Sequence, residues 1–88
     1  MYKINEHVEI DIFEEGAVIQ LDDGFYAIDL IAYEILQQFI RTQNIEDTIQ
    51  FMAKTYKEDL NVITEDVMEI VDNYKNLGIL QELGESHV

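Results

Sequence analysis

The sequence predicts an α+β domain in which a three-stranded antiparallel sheet is followed by three helices. Three observations predict this fold class: a period-2 alternation of apolar residues in the first third of the chain, a change to helical periodicity after Asp29, and glycine-containing turns between the early segments. The chain has 88 residues, 48 % of them hydrophobic, which suits one small domain with a real core. We therefore expect a single domain over 1–88, with its core at about 8–80 and a polar, frayed tail over 81–88.

The first third of the chain predicts three strands joined by tight turns. Apolar residues alternate over 8–12, the pattern of a half-buried strand, and two further apolar stretches cover 17–21 and 25–28. The second turn contains Asp23-Gly24, a strong hairpin signal because both residue types tolerate positive φ. Connections this short join antiparallel neighbours, so the segment predicts a three-stranded meander.

Three amphipathic helices are predicted after the strands. Asp29 and Asn44 are good N-caps for the first two, the third is expected to begin between Asn61 and Thr64, and Gly78 supplies a left-handed stop. The short turn between the second and third helices makes the arrangement winged helix-turn-helix-like. The residues expected on the buried faces are, helix by helix, Ala32, Ile35, Leu36, Phe39 and Ile40; Ile45, Ile49, Met52, Ala53 and Tyr56; and Ile63, Val67, Ile70, Val71, Tyr74 and Leu77.

The charge balance restricts the partners. Nineteen acidic residues against five basic ones give a net charge of −14, which repels phosphate backbones and anionic lipid. The third helix carries four acidic residues against a single lysine, which is unsuited to a DNA major groove: Glu65, Asp66, Glu69 and Asp72 against Lys75. We expect neutral or basic partners, no nucleic acid and no membrane; the alternative is that the acid only confers solubility. The lack of cysteine, of a signal-peptide pattern and of a long apolar run predicts a cytoplasmic protein.

No catalytic, metal or cofactor site is predicted. The single serine, Ser86, stands beside His87 near the chain end, where a triad would lack rigid support, and His7 is the other histidine. Glu65, Glu69 and Asp72 share a helical face without a calcium-loop pattern, and a solvated face explains them more simply. The four glycines are isolated, so they form no phosphate-binding loop.

The third strand has an unusual edge. It is apolar on both faces, and neither a charge nor a proline protects it between Gly24 and Ile28, although natural edge strands are usually blocked in this way. This strand belongs to a longer series of short apolar motifs: Asp22–Asp29 (Asp-Asp-Gly-Phe-Tyr-Ala-Ile-Asp), Ala32, Ile35-Leu36, Phe39-Ile40, Tyr56, Asp66-Val67, Ile70-Val71, Tyr74 and Leu77-Gly78-Ile79-Leu80. In order and spacing these motifs resemble the PqqD-like domains, also called RiPP recognition elements, over about 8–80. The family usually has Asn where Asp29 stands and often Leu where Tyr74 stands.

The resemblance implies a non-catalytic module that binds the leader segment of a ribosomal precursor peptide. The leader would add as an antiparallel strand beside the third strand, with apolar side chains in a groove against the third helix. Val67, Ile70 and Tyr74 are expected to point mainly into the core. The implied peptide-binding residues are Gly24, Phe25, Tyr26, Ala27 and Ile28 on the strand, and Val67, Met68, Val71, Asp72 and Lys75 on the helix.

The resemblance also implies partners. A stand-alone domain of this kind would pass its precursor peptide to a modifying enzyme or leader peptidase of the same pathway. Lasso-peptide biosynthesis, with a leader peptidase and a cyclase, is favoured by the small acidic build and the Gly-Phe-Tyr strand. A PqqD-type peptide chaperone acting with a radical enzyme in pyrroloquinoline quinone biosynthesis is the alternative. An acidic antitoxin or DNA-mimic protein would explain the charge but not the apolar edge.

Overall fold

The computed structural model describes residues 1–83, and the predicted α+β fold is confirmed. Strands β2, β3 and β4 form an antiparallel sheet, and three helices follow it. Ser86 and His87 lie outside the described residues. The elements in chain order are β1 (Tyr2–Ile4), β2 (Glu9–Phe13), β3 (Gly16–Leu21), β4 (Gly24–Asp29), α1 (Leu30–Thr42), α2 (Ile45–Tyr56), α3 (Leu60–Asn76) and β5 (Leu80–Glu82).

The sheet has the strand order β2-β3-β4, with a two-residue turn on each side of β3. Asp22, in the second turn, adopts a φ of 55°, a left-handed conformation that aspartate tolerates. Ile19 on β3 pairs with Ile10 and Tyr26 on its two neighbours, and this row faces the helices, because Ile19 is fully buried. Side chains alternate along a strand, so the adjacent rows face outward.

Gly16 begins β3 at a point where the backbones approach closely. A Cβ built there would collide with the carbonyl oxygen of Ile28 on β4. A side chain at this position would therefore force the two strands apart, which explains why glycine follows the first turn.

Side-chain caps set the starts of the helices. The Asp29 carboxylate accepts a hydrogen bond from the Ala32 amide at 2.8 Å, and the Asn44 side chain accepts one from the Asp47 amide at 2.9 Å. Asp59 caps α3, so this helix begins at Leu60, slightly earlier than the predicted start between Asn61 and Thr64. The connection before it is short because Lys57, at a φ of 54°, ends α2 in the left-handed conformation.

A second, two-stranded sheet was not predicted. Strand β1 pairs antiparallel with β5, so Gln81 and Glu82 are part of a strand and not of a frayed tail. The pair is held against α1 and α3. The Tyr2 ring lies 5.4 Å from the Phe39 ring between centroids, and Lys75 Nζ lies 4.5 Å from the Tyr2 ring centroid. The prediction for the start of the tail was therefore wrong.

The core lies between the inner face of the main sheet and the three helices. Leu77, which periodicity predicted as buried, is 41 % exposed, and Tyr56 is also exposed. The largest fully buried side chains are Phe39, Ile19, Ile35, Leu36, Met52, Ile79, Val67, Val71 and Thr48.

Candidate functional site

An apolar groove of about 230 Å³ lies between β4 and α3. Its floor and walls are almost wholly hydrophobic, and Asn73 is the one amide side chain in the lining. Such a lining favours apolar side chains of a partner over charged ones. The lining residues are Tyr26, Ala27 and Ile28 on β4, Ala32 on α1, Ile70, Asn73, Tyr74 and Leu77 on α3, and Ile79.

Strand β4 borders the groove with an edge that no strand of residues 1–83 pairs with. In an antiparallel ladder, hydrogen-bonded and non-hydrogen-bonded pairs alternate. Counted from the two-residue turn, Leu21–Gly24 and Ile19–Tyr26 are hydrogen-bonded pairs, and Val18–Ala27 is not. The backbone amides and carbonyls of Phe25 and Ala27 therefore point away from β3. This free edge is a template for another strand.

The groove face of α3 is formed by Ile70, Asn73 and Leu77. Their spacing of three and four residues places them on one side of the helix. Ile70 is half-buried and Leu77 is 41 % exposed, so both leave apolar surface open to a ligand.

The structure corrects two of the predicted helix contacts. Val67 and Val71 are 0 % and 1 % exposed, because both belong to the core cluster beneath the sheet. They have no surface left with which to touch a peptide. Their side chains are core residues, and the prediction that Val71 would be a groove contact is contradicted.

The other predicted helix residues lie away from the groove. Met68 and Asp72 are exposed, and Lys75 packs over the Tyr2 ring. Met68 is two positions before Ile70, which is about 200° around a helix of 3.6 residues per turn. None of the three lines the groove.

The predicted strand residues lie at the edge beside the groove. Tyr26, Ala27 and Ile28 line it, and Gly24 and Phe25 continue the same edge toward the turn. Ile70 and Tyr74 were predicted as core residues, and neither Asn73 nor Leu77 was predicted as a site residue. Positions 70, 73, 74 and 77 follow the three- and four-residue spacing of one helix face. This spacing is the signal that could have identified the groove face of α3.

Tyr74 supports the groove from below. Its hydroxyl donates a hydrogen bond of 2.7 Å to the carbonyl oxygen of Ala32, which ties α3 to α1. Burial, and then the nearby Asp29 carboxylate, raise the pKa of the Tyr74 hydroxyl well above its ordinary value. The hydroxyl therefore remains a protonated donor at neutral pH.

We expect the free energy of unfolding to fall less steeply between pH 7 and 11 in Tyr74→Phe than in the unaltered protein. In the unfolded chain a tyrosine ionises near pH 10, whereas in the folded protein Tyr74 ionises only at higher pH. Its contribution to the free energy of unfolding is therefore full below about pH 10 and is lost as the pH rises further. Urea denaturation from pH 7 to 11 measures this, with the other four tyrosines common to both proteins. At neutral pH the variant should lose about 1 kcal/mol. If the free energies of unfolding of the two proteins changed with pH in parallel, the raised pKa of Tyr74 would be contradicted.

Residues 1–83 contain no group of three or more His, Asp or Glu side chains placed to hold a metal ion, so Glu65, Glu69 and Asp72 do not form one. No helix among these residues has the length and apolarity to cross a membrane.

Two solved structures match the chain over nearly its whole length. One is TbiB1 in complex with the TbiA(beta) leader peptide, with a TM-score of 0.77, 14 % sequence identity and coverage of 94 % of this chain and 99 % of that chain. The other is lasso peptide synthetase B1 complexed with the leader peptide, with a TM-score of 0.78, 16 % identity and coverage of 92 % and 98 %. The chain shares the fold of these two proteins. The fold implied by the resemblance to RiPP recognition elements is therefore confirmed.

Matches by sequence are absent: no protein-family model matches the chain, and no curated protein matches it. The low identities explain this, because a fold can persist after the sequence signal has faded. The likeness to the two solved chains is thus one of backbone architecture.

Proposed function

We propose that this protein is a non-catalytic leader-peptide-binding domain of lasso-peptide biosynthesis that works in the cytoplasm. The observation that carries the proposal is the free edge of β4 beside an apolar groove. Two proteins of the same fold were solved with leader peptides. Strand addition would supply generic backbone hydrogen bonds, and the groove would supply selectivity for side chains.

The geometry of β4 predicts how the peptide would lie. A strand added to the edge sits about 4.8 Å from β4, pairs with the free backbone groups of Phe25 and Ala27, and covers the groove. Its side chains then alternate between the groove and the outer face. We therefore expect the bound segment to carry apolar residues at every second position facing Ile70 and Leu77.

The bound precursor would be handed to an enzyme. Strand addition holds only the leader segment, so the rest of the precursor stays accessible to a modifying enzyme or leader peptidase. One matched protein is named lasso peptide synthetase B1, which favours the lasso pathway over the pyrroloquinoline quinone pathway. A DNA-binding role is disfavoured, because Glu65, Glu69 and Asp72 are exposed on α3.

Binding kinetics test the proposal. The probe is the fluorescently labelled leader segment of a precursor encoded beside this protein, with a scrambled peptide and random duplex DNA as controls. We expect saturable binding of the leader alone. For a basic leader the association rate should fall between about 10 and 150 mM salt, because the net charge of −14 is screened, and the dissociation rate should change little.

Two outcomes would contradict the proposal. Equal binding of the scrambled peptide would mean that the groove does not read side chains. Slower migration of the random duplex DNA with the protein in a gel-shift assay at physiological salt would favour a nucleic-acid-binding protein.

A further inference from the structure

The outer face of the main sheet carries a diagonal apolar stripe. Phe13 lies opposite Gly16, and Val18 lies two residues further along β3. Phe25 stands in the same diagonal relation to Val18 from the other side, and diagonal neighbours in a sheet are within reach of aromatic side chains. Phe13 and Phe25 are 58 % and 67 % exposed, so the stripe is open to solvent. The outward-facing positions are Glu9, Asp11 and Phe13 on β2, Gly16, Val18 and Gln20 on β3, and Phe25, Ala27 and Asp29 on β4.

A shallow depression lies at one end of this stripe. It is lined by Phe13, Glu15, Gly16, Ala17, Val18, Ala27 and Ile28, the last two of which also line the groove beside α3. The depression combines an apolar floor with a carboxylate at the rim. It differs from the groove beside α3, because the helices pack on the opposite face of the sheet.

Carboxylates flank the stripe. Glu9 and Asp11 lie on its β2 side, and Glu15 lies in the turn. None of the nine outward-facing positions on these three strands is basic. The same face of a second copy would set carboxylates against carboxylates, and nucleic acid would meet the same repulsion.

We propose that this outer face docks a protein partner that presents a bulky apolar side chain flanked by arginine or lysine. The apolar side chain enters the depression, and the cations form charge-assisted hydrogen bonds with Asp11 and Glu15. The Phe13 and Glu15 end of the depression lies away from α3, so a partner there and a peptide beside β4 would meet only at Ala27 and Ile28, which line both sites.

A pair of matched peptides tests the charge and shape of the face. The ¹⁵N-labelled protein is titrated with acetyl-Arg-Leu-Phe-Arg-amide and, separately, with acetyl-Glu-Leu-Phe-Glu-amide. We expect saturable NMR shift changes at the amides of Asp11 and Val18 with the cationic peptide alone. Asp11→Lys and Phe13→Ser should each weaken this binding at least about fivefold. Val62→Ser, at an exposed apolar position on α3, is the matched control and should have no effect.

Three results of the NMR titration would overturn the proposal: equal binding of the two peptides, shifts confined to groove residues such as Ile70, or no saturable shift. Sedimentation that reveals a dimer lost in Phe13→Ser would assign the face to a second copy instead. The native NMR spectrum of each variant confirms its folding. Leader affinity should be unchanged in Phe13→Ser. Loss of leader binding therefore tests the proposed function, and loss of cationic-peptide binding tests this proposal.

Discussion

Ala27→Pro should lower the affinity for the leader peptide at least about tenfold, or roughly 1.4 kcal/mol, while the domain stays folded. The Ala27 amide points to the free edge of β4, so proline removes a donor that the peptide needs. It does not remove a hydrogen bond to β3, because Val18–Ala27 is a non-hydrogen-bonded pair. Calorimetry measures the affinity, and circular dichroism and thermal unfolding report the fold.

Ala27→Val is the matched control for this substitution. It keeps the backbone amide and suits a strand, so the affinity should remain near that of the unaltered protein. Unchanged affinity in Ala27→Pro, with a native spectrum, would contradict strand addition at this edge. A collapsed spectrum would mean that the amide is needed inside the sheet and that the derived hydrogen-bond register is wrong.

Ile70→Glu should reduce leader affinity by roughly 2 kcal/mol, about thirtyfold, because it sets an unpaired charge against an apolar side chain in the groove. Met68→Glu introduces the same charge two residues away, where the native side chain is 56 % exposed. It should leave the affinity nearly unchanged. Calorimetry on the two variants therefore identifies the face of α3 that contacts the peptide.

The two substitutions also separate the sequence-based prediction from the structure. A loss of affinity in Met68→Glu but not in Ile70→Glu would restore the face predicted from the sequence. Because Ile70 is half-buried, thermal unfolding must accompany the measurement. Leu77→Glu, at a more exposed position in the same groove, provides a second variant if Ile70→Glu is unstable.

The strands, the turn and the edge could be predicted because their signals are local. Period-2 alternation marks a strand, and the absence of charge or proline in 25–28 marks an unprotected edge. The Asp22-Asp23-Gly24 run marks the hairpin, but its loop residues are Asp22 and Asp23 and the positive φ falls on Asp22, so the predicted role of Asp23-Gly24 was one residue out of place. The caps at Asp29 and Asn44 were likewise visible, because N-capping depends on residues within one turn.

The groove face of α3 could not be assigned from the sequence. The residues that pack into the core and the residues that line the groove lie on one continuous apolar face of the helix. Periodicity puts Val67 and Val71 on the same broad stripe as Ile70 and Leu77. It does not say where contact with the core ends and the groove begins. That boundary depends on the position of β4, which is a tertiary property.

The β1–β5 pair was missed for a different reason. Each strand has three residues, too few to display an alternation, and the partners Tyr2 and Glu82 stand at opposite ends of the described chain. Such pairing depends on long-range closure and on the side chains around Tyr2, none of which leaves a local pattern.

Amide hydrogen exchange tests the central claim, which is that a leader peptide pairs with the free edge of β4. In the protein alone, the amides of Phe25 and Ala27 have no partner strand within residues 1–83, whereas the amide of Tyr26 is paired with β3. At saturating leader peptide, NMR-detected exchange should slow at Phe25 and Ala27 by at least about tenfold, with a smaller change at Tyr26. Unchanged exchange at Phe25 and Ala27 in the peptide-bound protein would contradict the account.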